Sequence, residues 1–216
     1  MSENRQPEIT NQKSHNPQSA VNPQSSAAIF IDRDGTINED LGYISNPDDL
    51  IIFPWVAEAL RLINDARLKA IVVTNQSGVA RGICTEDELR LIHARMINEL
   101  WKQGARIDGV YYCPHHPDYG DERYRRECEC RKPGPGMLQA AAREHKIDLA
   151  RSFVIGDKAS DINLASGAGA QGMLVLTGYG RETLAHPDHW PCNPRLVADN
   201  LLHAIKLILD GPWLQR

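Results

Sequence analysis

Two aspartates with one residue between them, Asp32 and Asp34, follow the short apolar run 27–31. An apolar run that gives way at once to polar and glycine residues predicts a buried strand that opens into a loop. Side chains i and i+2 of an extended chain project to the same side, and Gly35 permits a sharp turn after them. One carboxylate could attack an electrophile while the other carries a proton, which indicates phosphoryl transfer through a covalent aspartate. The alternative is an Asx-rich turn without chemistry.

Three later segments place phosphate- and metal-binding groups after or near further apolar runs. Thr74 ends the second run, where its hydroxyl and the loose backbone amides that follow could hold phosphate oxygens. Lys132 precedes a helix that begins at a proline, and Asp157 follows a third run in a Gly-Asp-Lys sequence. Asp161, four positions later, could support a metal site or cap the following helix, and the sequence leaves both roles open. In open α/β sheets the reactive crevice lies outside the carboxyl ends of the strands, so we expect these groups to meet there.

Segment 113–130 holds a separate set of metal-binding side chains. Cys113 and His115 form a C-x-H pair, and Cys128 and Cys130 form a C-x-C pair. Thiolates and imidazole suit tetrahedral zinc, and a site closed by four protein ligands is structural. A disulfide from Cys113 to either of the other two cysteines is the alternative. Metal binding is the favoured interpretation for a chain expected in the cytoplasm.

Composition narrows the class of protein. The chain has 216 residues, 42% of them hydrophobic, which suits one α/β domain with a sizeable core. Its formal charge of −4 and the absence of a long basic run argue against nucleic acid or an acidic membrane as the main partner. No stretch approaches the roughly 18 apolar residues of a membrane helix. Residues 1–26 are rich in Asn, Gln, Ser and Pro and are predicted to be a disordered tail without a secretion signal, which makes the cytoplasm the expected compartment.

Strand and helix patterns alternate after the tail. Thr85 and Glu88 form a capping box ahead of an apolar stripe of helical spacing. Alternation of this kind predicts an α/β fold, a Rossmann-like three-layer sandwich with a mostly parallel central sheet. The predicted strands are 27–31, 70–73, 109–112, 153–155 and, as the last, 172–176. The predicted helices follow Pro54 and Thr85, run over 137–145, and close the chain with Val197, Leu201, Ile205 and Ile208.

Several sequence strings together carry a resemblance to a known family. They are IFIDRDGTIN, DLGYI, VVTNQSGVARG, YYCPHHP, CECRKPGPGM and IGDKASDI. From about residue 27 to residue 205 the chain resembles the D-glycero-D-manno-heptose 1,7-bisphosphate 7-phosphatases of the haloacid dehalogenase (HAD) superfamily, which share a branch with histidinol-phosphate phosphatase. The resemblance implies a HAD-like domain over 27–210 with no large cap domain, a zinc-bound loop insertion at 113–130 and a magnesium-dependent site. Trp55, where relatives commonly have glycine, departs from the pattern at a helix start.

The resemblance also implies a role for each matching residue. Asp32 would be the nucleophile and Asp34 the general acid and base, while Thr74 and Lys132 would bind the phosphoryl oxygens. Mg²⁺ would be held by Asp32, the backbone carbonyl of Asp34, and Asp157. Substrate recognition would fall to seven residues, Asp40, Tyr43, Asn75, Gln76, Ser77, Arg131 and Lys158. Simple packing for Tyr43 and an ion pair on the loop for Arg131 are the structural alternatives.

The implied activity is hydrolysis of the 7-phosphate of the heptose bisphosphate through an aspartyl phosphate, in the ADP-heptose route to lipopolysaccharide core. The substrate would be a small-molecule sugar phosphate and the enzyme a monomer. Histidinol-phosphate phosphatase is the nearest alternative, because it uses the same chemistry and a similar loop. A DNA-end phosphatase is disfavoured by the acidic balance, and a phosphate-transferring pump by the lack of membrane spans. A binding module on an inactive scaffold is disfavoured by the intact aspartate, threonine and lysine set. No sequence pattern indicates whether the alpha or the beta anomer of the heptose bisphosphate is preferred.

Overall fold

A single parallel sheet organises the protein in the computed structural model, which describes residues 26–187 and 192–214. Six strands lie in the order β3-β2-β1-β4-β5-β6, and every neighbouring pair is parallel. The strands are β1 Ala28–Ile31, β2 Lys69–Asn75, β3 Gly109–Cys113, β4 Phe153–Gly156, β5 Gln171–Val175 and β6 Leu196–Ala198. The α/β prediction is confirmed, and no described insertion is large enough to form a cap domain.

Helices cover both faces of this sheet, as a parallel sheet requires. They are α1 Val56–Asp65, α2 Glu86–Lys102, α3 Gly136–His145, α4 Ala159–Ala168, α5 Gly180–Ala185 and α6 Leu201–Asp210. Short 3-10 helices lie at Pro47–Asp49, Leu149–Arg151 and Pro212–Leu214. The side chains of β1 alternate between two buried clusters: Ile29 and Ile31 pack with α1, α2 and α6, whereas Ala28 and Phe30 pack with α3 and α4. This period of two fixes the direction of the residues that follow Ile31.

Capping explains where α2 begins. Thr85 Oγ1 accepts a hydrogen bond of 3.2 Å from Glu88 N–H, and Thr85 N–H donates to Glu88 Oε2 at 2.7 Å. The predicted capping box is therefore confirmed. It starts the helix that lies beside the loop after β2, so it helps to hold one wall of the crevice at the carboxyl ends of the strands.

The carboxyl-terminal part of the fold differs from the sequence expectation. Val197 was predicted to start the closing helix, but it lies in β6, which pairs with β5 at the sheet edge, and α6 begins only at Leu201. The strand at 171–175 is consequently not the last one. Asn200 supplies the missing start signal, because its Oδ1 accepts from His203 N–H at 3.0 Å and caps α6.

Two further predictions concern the amino-terminal tail and the domain boundaries. The predicted tail lies outside the described residues except for Ser26, whose N–H donates to Lys146 O at 3.1 Å. The exact domain boundaries remain a prediction. Within 26–187 and 192–214, no helix combines the length and the apolar character needed to cross a bilayer.

Candidate active site

The carboxyl ends of the central strands surround a pocket of about 50 Å³. Its lining residues come from the loops after β1 and β4, the end of β2, the segment before α3 and the first turn of α4: Asp32, Asp34, Thr74, Asn75, Lys132, Lys158 and Ser160. The structure thus brings together the four predicted catalytic residues and two of the predicted substrate-binding residues. Ser160 was not predicted. A much larger cavity of about 730 Å³, beside Ser166 and Trp213, contains none of the predicted catalytic groups.

Lys132 lies at the centre of this pocket. Its Nζ lies 2.8 Å from Asp32 Oδ1 and 2.6 Å from Asp161 Oδ1, and it donates to Val73 O at 3.2 Å. Asn75 fixes the backbone of Lys132 through two hydrogen bonds, one in each direction. Burial lowers the pKa of Lys132, but the charges of Asp161 and Asp32 outweigh it and leave the pKa above its ordinary value. The lysine is therefore a fixed cation beside the nucleophile candidate.

Asp32 stands at the tip of β1 in a buried position. Burial raises its pKa to about 6, although the charge of Lys132 opposes that shift. Arg33 N–H donates to Asp32 Oδ1 at 2.7 Å, the same oxygen that faces Lys132. Both contacts thus orient the carboxylate through Oδ1. At neutral pH the group is ionised, which is the form a nucleophile needs.

Asp157, at the tip of β4, is the site's unsatisfied acid. Its Oδ2 accepts from Tyr179 N–H at 2.8 Å, while its Oδ1 is buried without a hydrogen-bond partner among the described residues. Burial, followed by the charge of Asp32, raises the pKa of Asp157 to about 8. The backbone at Gly35 passes very close to the Asp157 carboxylate, and a β-carbon there would lie 2.2 Å from Asp157 Oδ2. Gly35 also has a φ of +84°, so glycine is required at this position.

These acids fit a divalent cation. Carboxylate oxygens of Asp32, Asp157 and Asp161 all lie within 4.8 Å of one another. Oxygen ligands of this kind suit Mg²⁺, and a cation would satisfy the orphaned Asp157 oxygen and offset the crowded negative charge.

Asp161 combines the two roles that the sequence left open. Lys158 N–H donates to its Oδ2 at 3.1 Å at the start of α4, which is a helix-terminus contact. Its other oxygen pairs with Lys132 Nζ, so the residue also belongs to the buried acidic cluster.

Asp34 is held by an array of donors. Arg33 donates to both of its oxygens through a short guanidinium fork, Asn38 Nδ2 donates to Oδ1 at 3.0 Å, and Gln76 Nε2 donates to Oδ2 at 2.7 Å. Burial raises the pKa of Asp34, but the Arg33 charge and these hydrogen bonds outweigh it and leave the pKa below its ordinary value. Gln76 Nε2 also donates to Thr74 Oγ1 at 2.8 Å. The Thr74 hydroxyl proton is therefore left to donate elsewhere.

The remaining predicted substrate residues lie farther out. Lys158 Nζ pairs with Asp40 Oδ2 at 2.8 Å, which joins the loop after β1 to the loop after β4. Tyr43 is 47% exposed, and its ring lies 5.6 Å from the guanidinium of Arg81. Arg131 donates to His115 O at 3.2 Å. Ser77 and Gln76 are buried and do not line the small pocket; Gln76 instead supports Asp34 and Thr74.

The four predicted zinc ligands form one cluster. The sulfur atoms of Cys113, Cys128 and Cys130 lie 3.0–3.4 Å apart, and His115 Nδ1 lies 3.3 Å from Cys130 Sγ and 3.7 Å from Cys113 Sγ. A disulfide requires about 2.05 Å, and all three cysteines are free thiols, so the disulfide alternative is wrong. A tetrahedral Zn²⁺ with Zn–S bonds of about 2.3 Å needs sulfur atoms roughly 3.8 Å apart, so the three sulfur atoms would have to move apart by about half an ångström to hold the ion.

The pKa values of the three cysteines shift in different directions: a hydrogen bond with Cys130 and burial raise the pKa of Cys113, and burial raises the pKa of Cys128. A hydrogen bond from Cys113 is the largest cause that lowers the pKa of Cys130, to about 5, which makes it a thiolate at neutral pH. Arg126 places a guanidinium nitrogen 2.7 Å from His115 Nε2. A ring bound through Nδ1 carries its proton on Nε2, so we expect Arg126 to turn away when the site is loaded.

Sequence reasoning missed a second ring of residues around Asp34. Arg33 is only 1% exposed, and its NH1 lies 3.2 Å from Nε2 of the buried His93. One signal was available: His93 shares the helical spacing of Leu89, Ile92 and Met96 and so had to face inward. Nothing in the sequence pointed to Arg33, because arginine is ordinarily a surface residue.

Comparison with known proteins agrees with this geometry. A family model described as HAD-hydrolase-like matches residues 129–204. D-glycero-beta-D-manno-heptose-1,7-bisphosphate 7-phosphatase of Rhodopseudomonas palustris is 48% identical over 145 residues, covering 67% of this chain and 81% of the relative. D-glycero-D-manno-heptose-1,7-bisphosphate 7-phosphatase of Thermosynechococcus vestitus is 41% identical over 185 residues, covering 84% and 94%.

Solved structures agree as well. The D,D-heptose 1,7-bisphosphate phosphatase of B. bronchiseptica, crystallised with magnesium and phosphate, superposes with a TM-score of 0.76 at 36% identity, covering 85% of this chain and 98% of that one. The corresponding enzyme of Burkholderia thailandensis gives 0.65 at 30% identity, covering 86% of this chain and 100% of that one. The fold, the arrangement of acids at the strand tips and these likenesses together establish that the chain belongs to the heptose-1,7-bisphosphate 7-phosphatase family of HAD-like phosphoric monoester hydrolases.

Proposed function

We propose that this phosphatase removes the 7-phosphate of D-glycero-D-manno-heptose 1,7-bisphosphate and releases heptose 1-phosphate. The observation that carries the proposal is the small pocket in which Asp32, Asp34, Thr74 and Lys132 meet. The relatives that share 41–48% identity with the chain are named for this substrate. The pocket, at about 50 Å³, holds one small group and leaves the sugar and its second phosphate outside.

The first half of the reaction forms a phosphoenzyme. An Asp32 oxygen bonds to phosphorus as the bond from phosphorus to the sugar oxygen breaks, and the electron pair goes to that oxygen. A proton carried by Asp34 passes to the departing oxygen, which matters because a sugar alkoxide is a poor leaving group. The Thr74 hydroxyl, whose oxygen already accepts from Gln76, donates to a phosphoryl oxygen, and Lys132 stabilises the developing charge.

The second half regenerates the enzyme. A water oxygen bonds to phosphorus, the bond to Asp32 breaks, and Asp34 takes the water proton. Asp34 enters this half ionised, because it has given its proton to the departing sugar oxygen in the first half. The same carboxyl thus serves as acid in one half and as base in the other.

Asp32, the backbone carbonyl of Asp34, and Asp157 would hold Mg²⁺. The orphaned, buried Oδ1 of Asp157 supports this assignment. When bound, the ion would supply positive charge that lets an anionic nucleophile approach a dianionic phosphate. The four-ligand cluster of the 113–130 loop would hold a structural Zn²⁺, since all its ligand atoms are used to close the site.

The second phosphate needs a cation outside the small pocket. Lys158 lines that pocket, and its side chain is 39% exposed, while Arg131 lies on the zinc loop with a planar fork suited to phosphate. We assign both to the 1-phosphate, and Asp40, Tyr43, Asn75 and Ser77 to the sugar side. The assignment favours a bisphosphate over histidinol phosphate, whose remaining end is cationic.

Phosphate release from both heptose bisphosphate anomers and from histidinol phosphate, at equal concentration and with or without Mg²⁺, tests the proposal. We expect a heptose anomer to be fastest, only with Mg²⁺, and the product to keep its 1-phosphate in a phosphorus NMR spectrum. Asp32→Asn is the matched control, because it keeps the shape and removes the nucleophile. Fastest release from histidinol phosphate would withdraw the heptose assignment. Work in the ADP-heptose route, a cytoplasmic location and a monomeric state remain part of the proposal.

A further inference from the structure

We propose that Arg33 is the positioning residue of the acid–base carboxylate: its buried guanidinium, supported by His93, holds Asp34 facing the departing oxygen. The inference rests on the proposed role of Asp34 as general acid and base. It adds to that role a residue whose guanidinium contacts neither Asp32 nor Asp157.

Among the acids that the structure describes, the guanidinium of Arg33 contacts Asp34 alone, although the Arg33 backbone N–H donates to Asp32 Oδ1. Its Nε lies 3.0 Å from Asp34 Oδ1, and its NH2 lies 2.8 Å from Oδ1 and 2.7 Å from Oδ2. NH2 also donates to Gln76 Oε1 at 3.1 Å, and Gln76 in turn donates to Asp34. A guanidinium fork that binds both oxygens fixes the plane of a carboxylate, which a single ammonium does not do.

The buried position of the guanidinium shows that this contact is not a surface ion pair. Arg33 is 1% exposed, whereas the Asp34 side chain keeps 13% of its surface exposed and lines the small pocket. The fork therefore grips the carboxylate from the protein side and leaves its other side turned toward the pocket. Exposed ion pairs do not hold such a geometry, because their side chains are free to move.

His93 fixes Arg33 in turn. It lies on the buried face of α2, and its Nε2 is 3.2 Å from Arg33 NH1. A buried donor without a partner is unfavourable, so a neutral ring that accepts this proton completes the guanidinium's contacts. The Tyr112 ring packs against His93 with centroids 5.6 Å apart and limits its movement. The chain of contacts runs from α2 through Arg33 to the reacting carboxyl.

The position of Asp34 matters only for substrates whose leaving group must take a proton. When phosphorus bonds to Asp32, the departing oxygen must take a proton from Asp34 if it is an alkoxide, but not if it is a stable phenolate. General acid catalysis is worth about 100- to 10,000-fold. A misplaced Asp34 should therefore slow the hydrolysis of alkyl phosphates strongly and that of p-nitrophenyl phosphate little. The quantity to compare is kcat/KM, because it reports the steps up to phosphoryl transfer to Asp32.

The experiment is a leaving-group series with p-nitrophenyl, phenyl and alkyl phosphates on the Mg²⁺-loaded full chain. For Arg33→Lys we expect kcat/KM to fall about 100-fold on the alkyl ester and less than about threefold on p-nitrophenyl phosphate. Arg95→Lys makes the same exchange on the surface, where Arg95 pairs with Glu99, and should leave the whole series unchanged. These esters do not depend on the heptose, so failure of the heptose assignment would not affect the result.

A second pair of variants keeps the proposal testable if Arg33→Lys does not fold. His93→Leu removes the acceptor for Arg33 NH1, and His93→Gln restores one. As with Arg33→Lys, we expect the leucine variant to lose more kcat/KM on the alkyl ester than on p-nitrophenyl phosphate, although the loss should be smaller. The glutamine variant should recover most of the lost activity on the alkyl ester. An equal loss across all three esters, or no difference between leucine and glutamine, would overturn the proposal and leave Arg33 with a purely structural role.

Discussion

Replacing Asp157 by asparagine should stabilise the magnesium-free protein at pH 8 and fail to do so at pH 5. Asp157 is fully buried, and its pKa in the folded protein is about 8 against an ordinary value of 3.8. Between those two values the folded state binds a proton that the unfolded state has released. The free energy of unfolding therefore falls as pH rises through this window, because the unfolded chain gains more from ionisation.

The magnitude follows from the size of this shift. One pKa unit corresponds to about 1.4 kcal/mol, so the acid lowers the free energy of unfolding by about 5 kcal/mol at pH 8 and by less than about 2 kcal/mol at pH 5. Asparagine removes that effect, and its amide oxygen can still accept from Tyr179 N–H. Its amide nitrogen replaces the orphaned Oδ1, and a buried unsatisfied donor costs about 1–3 kcal/mol. The net gain is roughly 2–4 kcal/mol at pH 8 and about zero or negative at pH 5.

Thermal unfolding in magnesium-free buffer, with zinc kept loaded, measures the effect. A gain of this size corresponds to a rise in Tm of about 5–15 °C at pH 8 for a protein of this length. Asp49→Asn, at an exposed aspartate, is the control and should leave Tm nearly unchanged at both pH values. Added Mg²⁺ should raise Tm of the parent at pH 8 and have little effect on Asp157→Asn. A variant whose Tm at pH 8 equals or falls below that of the parent would refute the reasoning.

Three further changes probe the loop and the scaffold. Cys130→Ser should lower bound zinc, measured by mass spectrometry of the native protein, whereas Cys192→Ser should not, since Cys192 lies outside the cluster. Ser152→Ala removes a buried hydroxyl that accepts from Ala28 N–H and donates to Asp148 O, and should lower the free energy of unfolding in urea by about 1–3 kcal/mol. Thr85→Ala should lower it by about 1 kcal/mol, with Thr85→Ser close to the parent.

The residues at the strand tips could be predicted because their positions follow from local rules. Asp32, Thr74 and Asp157 each come directly after or at the end of an apolar run, and parallel strands bring their carboxyl ends to one edge. The four members of the Cys/His cluster were identifiable from residue type and spacing alone, and their binding of zinc stays a prediction. In each case the pattern depends on neighbours within a few positions, which is what a single sequence reports.

The errors and omissions involve long-range contacts. β6 has three residues, and Val197 is 37% exposed at the sheet edge, so its spacing of four from Leu201 imitated a helix. Arg33 is buried, and two of its partners, Gln76 and His93, come from 43 and 60 positions away. The substrate role of Gln76 stays a prediction, and its amide also lies between Asp34 and Thr74, a contact that the sequence does not indicate. Residue type indicates what a side chain can bind, but its actual partner depends on which residues the folded chain places beside it.

The charged residues around the pocket form two groups: ion pairs whose charges cancel, and a cluster of acids whose charges do not. Arg33 pairs with Asp34, and Lys158 pairs with Asp40, so each of these acids has its own cation. Neither pair requires a metal ion.

The cluster of acids lies at the base of the pocket, where three acids share one lysine. Lys132 contacts both Asp32 and Asp161, while Asp157 forms no ion pair with any residue that the structure describes. When all three carboxylates are ionised, two of their negative charges lack compensation. Burial is the largest cause of the raised pKa values of Asp32 and Asp157, and the neighbouring carboxylates add to it. A divalent ion matches this deficit, whereas a monovalent ion leaves one charge to repel the incoming phosphate. We therefore expect Mg²⁺ to bind before the phosphate and to be a condition for its entry.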